Sequence, residues 1–224
     1  MNGVKCGQCG LMNFAGTAEC RRCGALLFNQ HEIAASETSE EKPGIKKKIL
    51  KSALRIFGLA GFVIFLWYAS LIGTSEPVVL DQKKVVDNAI SVLEKQGFND
   101  EVFVLRHMVF YRATDNWWNE KVGHDSAFAS TNFPFEVMTL YPSFFEQTRD
   151  DVERAVILLH EAYHLFGHGE QAAVEGTWRS KKKLGWTKEL YSTTTVWANA
   201  RDSIQEFAPQ LVQCGPNRNL DCTE

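Results

Sequence analysis

The sequence predicts an α+β domain, tied by one membrane-spanning helix to a small N-terminal ribbon built around four cysteines. Three observations carry that prediction. Two CxxC pairs fall within the first 23 residues, an uncharged apolar run occupies residues 56–75, and a helical segment at 148–166 bears the pattern His-Glu-x-x-His. An apolar fraction of 45% and a charged fraction of 23% mark a folded chain rather than a disordered one. A net charge of −3 gives no basis for binding nucleic acid through bulk charge, and none is expected.

The ribbon is assigned to residues 1–28. Its core, KCGQCGLMNFAGTAECRRCG at 5–24, sets ten residues between the two pairs. Cys6, Cys9, Cys20 and Cys23 at this spacing suit one tetrahedral structural zinc. So short a segment lacks a core of its own and needs the metal to fold. Four thiolates leave no open coordination position, so the ribbon is given no catalytic part. The pattern, with Asn13 between the pairs and Gly24 after the last, resembles short zinc ribbons at the N-termini of bacterial membrane proteins. It is also similar to the Ran-binding-protein type of finger, with Val4 where that family carries Trp. With that departure the family's RNA or ubiquitin binding is not carried over, and a protein partner for the ribbon is admitted on its own account. The interleaved basic and aromatic residues of a nucleic-acid surface are missing.

Residues 29–54 read as a linker, polar and acidic up to 44 and basic beyond. Residues 55–75 read as a transmembrane helix. Its 20 uncharged residues span about 30 Å as a helix, the thickness of a bilayer's hydrocarbon. Arg55 and Glu76 bracket the run, and Trp67 and Tyr68 fall in its outer third. More than 50 residues precede it, which does not suit a cleavable signal peptide. Lys42, Lys46, Lys47, Lys48, Lys51 and Arg55 stand before the run, against Lys83 and Lys84 beyond it. The positive-inside rule then leaves the N-terminus in the cytoplasm and the C-terminal domain, 76–224, extracytoplasmic. Cysteine usage agrees: paired CxxC thiols suit a reducing cytosol, whereas Cys214 and Cys222 are placed to form a disulfide outside.

In the exported domain, Val85, Ile90 and Leu93 predict a helix over 79–96, ended by Gly97. Strands are predicted at 101–112 and 135–141, the second closed by Pro142. The helix at 148–166 has Thr148 as its expected N-cap and Gly167 as its stop. Two further helices are predicted at 170–184 and 187–211.

His160 and His164, at i and i+4, share one helical face and can reach one metal ion. Glu161 stands beside them as a candidate general base. The run VILLHEAYHLFG sets these polar groups among apolar neighbours, where burial is costly unless a ligand satisfies them. Residues 130–180 resemble the zincin metallopeptidases, the superfamily built around an HExxH helix. HEAYHLFGHGE keeps the metzincin spacing, but Glu170 stands where that group's third His belongs, and no Met follows Met138 to supply its Met-turn. A gluzincin-like arrangement fits better, with a carboxylate from the next helix as third ligand. Glu170, Glu175 and His168 are the alternatives for that position. Such an enzyme also needs a group to stabilise the oxyanion, for which Tyr191 and His124 are polar candidates. The resemblance implies a small zincin-like fold and a membrane-anchored zinc metallopeptidase acting on peptide or protein substrates, with one catalytic and one structural zinc. A non-catalytic, membrane-tethered zinc-binding protein is the alternative class.

Overall fold

A computed structural model of the chain describes residues 3–27, 43–121, 127–217 and 220–223. The polar half of the predicted linker falls almost wholly outside the described residues, as does His124. The chain divides into two compact units, Met1–Phe57 and Gly58–Glu224.

In the first unit, strands β1 (Val4–Lys5) and β2 (Met12–Asn13) pair antiparallel. Each CxxCG run folds as the same tight turn, because the glycine at its end adopts positive φ and its N–H returns to the first cysteine's carbonyl. Gly10 does so on Cys6 at 3.0 Å and Gly24 on Cys20 at 2.9 Å. Buried Asn13 links the two halves, accepting from Arg21 N–H at 3.1 Å and donating to Leu11 O at 3.0 Å.

Helix α1 runs Pro43–Gly73, so the basic stretch predicted as linker is helical and continuous with the apolar run. Its segment Lys48–Gly73 is long and apolar enough to cross a membrane, and only 6% of its most apolar stretch is buried by protein.

The second unit is mixed α and β. Helix α2 (Leu80–Lys95) buries Val86, Ala89, Ile90 and Leu93, an unbroken stripe at i, i+3, i+4 and i+7. Helix α3 (Asn99–His107) replaces most of the strand predicted at 101–112, of which only β3 (Phe110–Arg112) is extended. Acidic Asp100 and Glu101 in its first turn and basic Arg106 and His107 in its last suit the helix dipole. Val102 and Leu105 meet the core at helical spacing, which overrides the local β-propensity.

Strands β4 (Ala129–Asn132) and β5 (Val137–Leu140) complete a three-stranded sheet in the order β3-β5-β4. β5 pairs parallel to β3 and antiparallel to β4. β5 is therefore a wholly buried central strand and β4 an edge. Pro142 does close the strand predicted at 135–141, but it also opens helix α4 (Pro142–Glu146) as its first residue.

Helix α5 (Asp151–Leu165) lies against α2 and the sheet and is buried on most of its circumference. Asp150, not Thr148, is its N-cap, accepting from Val152 N–H at 3.0 Å and Glu153 N–H at 3.2 Å. Thr148 instead donates to Phe144 O at 2.9 Å. After Gly167 the chain enters α6 (Glu170–Arg179), which turns at Ser180 into α7 (Lys181–Leu184). The segment predicted as one helix at 187–211 is α8 (Lys188–Tyr191), α9 (Thr195–Phe207) and a 3₁₀ turn at Pro209–Leu211. The break is chemical: Thr194 turns its hydroxyl to cap α9, accepting from Trp197 N–H at 3.3 Å. Trp178, Trp186 and Trp197 then pack together, with centroids 4.7–5.9 Å apart, locking α6 to α9. Cys214 and Cys222 form a disulfide, and within its loop Asp221 pairs at 3.0 Å with the buried ammonium of Lys181.

Candidate metal centre

The chain has two groups of side chains able to hold a metal ion among the described residues, each with its ligand atoms within 4.8 Å of one another. The first is Cys6, Cys9, Cys20 and Cys23. Sγ–Sγ distances are 3.6 Å for Cys6–Cys23 and 3.5 Å for Cys9–Cys20. The N–H of Arg22 is the main influence holding the Cys20 thiol down, at about 6, and the Asn13 amide adds to it at 3.6 Å from the sulfur. The backbone N–H groups of Cys9 and Gln8 lower Cys6 likewise. Cys9 goes the other way. The Leu11 N–H lowers it, but burial and the neighbouring sulfurs together push it up to about 12. Sulfurs crowded to this degree cannot all ionise unless a cation sits among them.

The second group is His160, His164 and Glu170. The two histidines lie one turn apart on α5, with Nε2 atoms 3.1 Å from each other. Gly167, with φ of 78°, ends α5 and lets the chain double back, and α6 begins at Glu170 itself. Ala173 is fully buried, which lets α6 pack closely on α5. Glu170 then reaches both rings, Oε1 at 3.3 Å from His160 Nε2 and Oε2 at 3.2 Å from His164 Nε2. Hydrogen bonds from the two imidazoles hold its carboxyl far below the usual carboxylate range. The same contact raises His164 to about 9, against the effect of burial.

Of the three sequence candidates for the third position, only Glu170 joins the two histidines. Glu175 lies one and a half turns further along α6 and accepts from Gln171 at 3.1 Å and from Gln210 at 2.8 Å. His168 contributes its backbone rather than its ring: His164 Nδ1 lies 3.0 Å from His168 O, so the Nδ1–H donates there. That bond fixes the ring and leaves Nε2 directed at the group. Tyr191 is buried and donates to Asp150 Oδ2 at 2.9 Å, a role in securing the start of α5.

The histidine group opens on a cleft of about 800 Å³ between β4, α5 and α9. Glu161 lines it, largely buried, and accepts at Oε2 from the Thr131 hydroxyl at 2.6 Å. Thr131 belongs to β4, a strand the sequence did not foretell, because Ala-Ser-Thr-Asn has no apolar alternation to read. Thr177 on α6 is a second unforeseen neighbour. It lines the cleft beside His160 with a buried hydroxyl that has no partner among the described residues. The far wall, on α9, adds Asp202 and Glu206. Glu161, Glu170, Asp202 and Glu206 thus give the cleft an acidic lining, in which the only basic side chains among the described residues are histidines.

No protein-family model, curated protein or solved structure matches the chain, so the reading of this centre rests on its own geometry.

Proposed function

We propose that the chain is a membrane-anchored, zinc-dependent peptidase, with its cleft outside the cytoplasm and a structural zinc in its ribbon. The donor sets fit zinc. Bonds of about 2.0–2.1 Å to nitrogen and oxygen place two ligands of a tetrahedron about 3.3 Å apart. The His160, His164 and Glu170 edges measure 3.1–3.3 Å. Zinc–sulfur bonds of about 2.3 Å imply edges of about 3.8 Å; in the ribbon Cys9–Cys20 and Cys6–Cys23 measure 3.5 and 3.6 Å, and all four sulfurs lie within 4.8 Å of one another. Three protein ligands leave one position open at His160, His164 and Glu170, and four leave none in the ribbon.

When bound, zinc would polarise a substrate carbonyl and acidify a water molecule. The rest falls to the chain's own groups. Thr131 occupies Glu161 Oε2, which leaves Oε1 to take a proton from the attacking water and deliver it to the leaving amine. The outer edge of β4, beside the cleft, can pair with an extended peptide and hold its scissile bond in line. β5, which takes up the strand predicted at 135–141, is enclosed on both edges and has no free edge to offer. α1 supplies the anchor. The basic residues in its N-terminal part, together with free ribbon thiols against a disulfide in the domain, support a cytoplasmic ribbon and an extracytoplasmic cleft.

The observation that carries the catalytic reading is the placement of Glu161, oriented by Thr131 in the cleft that holds the three-residue group. Glu161→Gln keeps shape and hydrogen bonding but removes the proton acceptor. With zinc supplied, the variant should keep its metal while hydrolysis falls about 10²–10⁴-fold. Equal hydrolysis in variant and wild type would end the mechanism. No hydrolysis by zinc-loaded wild type across a broad peptide library would favour a non-catalytic zinc-binding module.

A further inference from the structure

The outer end of α1 is built into the second unit instead of leading into it through a hinge. Arg112 on β3 donates from Nε to Ser75 Oγ at 2.8 Å and from Nη2 to Ile72 O at 2.7 Å, and it also reaches Ser75 O. Two of these acceptors, Ile72 O and Ser75 O, are carbonyls at the helix terminus, so a buried guanidinium caps the end of the span. The next residues stay attached: Ala113 N–H donates to Glu76 O at 2.7 Å, and Glu76 N–H to the Thr114 hydroxyl at 2.8 Å.

The domain also reaches down along the helix. Trp117 N–H donates to Thr74 at 3.3 Å and its indole N–H to Ser70 at 3.0 Å. Trp117, Trp118 and Phe135 then surround Trp67, at centroid distances of 6.4, 5.1 and 5.9 Å. Phe110 meets Tyr68 edge-on at 5.8 Å. From Thr74 to Trp67 is seven residues, about 10 Å of helix axis. A protein surface thus descends two turns beside the most apolar helix among the described residues. Rings there stay open after packing: Phe110 is 49% exposed, Trp118 37% and Trp67 itself 39%. Lys121 stacks over Trp117 at 5.6 Å. Aromatic rings flanked by a lysine at the end of an apolar span are what the membrane–water interface selects.

The cleft begins at the same rim. β4 and β5 are joined by a tight turn that carries both Phe133 and Phe135. Phe135 packs on the span, whereas Phe133, 57% exposed, lines the cleft and lies against Gly167, three residues beyond His164. Two residues of chain reach at most about 7 Å. Buried asparagines stiffen the connection. Asn116, next to the Trp pair, donates to Asn132 at 2.7 Å, and Asn132 donates to Asn119 at 2.7 Å. Setting Trp67 and Tyr68 at headgroup depth therefore sets the cleft mouth there too.

We infer that the aromatic rim rests in the outer interface of the bilayer, and that the substrate is a peptide bond in the first few residues outside the membrane of another membrane-anchored polypeptide. This rests on the peptidase reading above and narrows its substrate class. The test uses the full chain in zinc-loaded vesicles. Phe133→Trp adds an emitter at the cleft mouth. Its added emission should be quenched by lipids brominated near the headgroup more than by lipids brominated at the chain ends, and Trp118→Phe should remove part of the wild-type quenching. Added emission that brominated lipid does not touch would overturn the placement. In the same vesicles, one cleavable segment is anchored either directly beside a transmembrane helix or behind a flexible spacer of roughly 30 residues. At least ten-fold faster cleavage of the close segment is expected. Equal rates, or faster cleavage of the distant or free peptide, would overturn the substrate assignment while leaving the peptidase standing. No cleavage of any peptide would sink the peptidase and the substrate assignment together, and the quenching would still decide the placement.

Discussion

Replacing Asp221 by Ala strands a buried charge and should strongly destabilise the second unit. Lys181 is 2% exposed, and Asp221, 3.0 Å away, is its sole carboxylate partner among the described residues. Without Asp221 the ammonium keeps, among the described residues, the Thr223 hydroxyl and the Trp178 ring, 5.1 Å away. Removing one member of a buried pair costs about 3–5 kcal/mol. For a unit of this size each kcal/mol moves the thermal midpoint by about 2–4 °C, so a loss of roughly 6–20 °C is expected. Tryptophan emission of the full chain in detergent reports it, because Trp178 belongs to the three-ring cluster that would loosen. Lys181→Met together with Asp221→Ala should recover most of the loss, since it removes the stranded charge as well. The effect has a definite sign with pH. Burial raises the Asp221 carboxyl, but Thr223 and Lys181 outweigh it and set it below its usual range. Its contribution is thus present above the unfolded value of about 3.9 and fades as pH falls through the lower folded value. An Asp221→Ala midpoint within 1 °C of wild type near pH 7 would refute the assignment.

Three more outcomes follow from contacts already described. Thr131→Val removes the hydrogen bond that orients Glu161, worth about 1.5–3 kcal/mol, so kcat should fall about 10- to 150-fold with zinc content unchanged on metal analysis. Glu170→Gln should lower zinc content of the second unit while the ribbon stays loaded, and Glu175→Gln should leave both sites full; metal analysis with the reverse result would move the third ligand to Glu175. Replacing Cys214 and Cys222 by Ser frees a loop closed over a separation of 8 residues, a loss of about 2.5 kcal/mol readable in the denaturant midpoint.

What could be read from the sequence was whatever depends on spacing within one element. His160 and His164 lie on one face because a helix repeats every 3.6 residues, and the CxxCG turns carry their geometry in their glycines. The third ligand was different. Glu170 and Glu175 both lie on the helix after the turn, and only the register of α6 against α5 chooses between them. Gly167 and the Glu170-x-x-Ala173 spacing are local signals, but that register also depends on a tryptophan cluster drawn from three segments, which no local pattern gives. β4 and α3 were missed for related reasons. β4 has no apolar period because it is a short edge strand. α3 has strand-like residues that tertiary contacts hold in a helix.

The same dependence explains why so much of the C-terminal chain is devoted to α6. A ligand from a second helix must be held to about 0.5 Å to complete a metal site, and a two-helix hairpin with glycines at its turn does not supply that precision alone. Gln210 fastens the middle of α6 through Glu175, the indoles of Trp178, Trp186 and Trp197 fix its end, and Asp221 holds Lys181 just beyond it. The disulfide in turn fixes the loop that presents Asp221. Glu175, the rival ligand in the sequence, thus serves Glu170 from the same helix. A prediction in kind follows. Damage to the C-terminal loop should appear first as weakened metal retention at His160, His164 and Glu170, before any loss of helical content, because the ligand set tolerates less displacement than the helices that carry it.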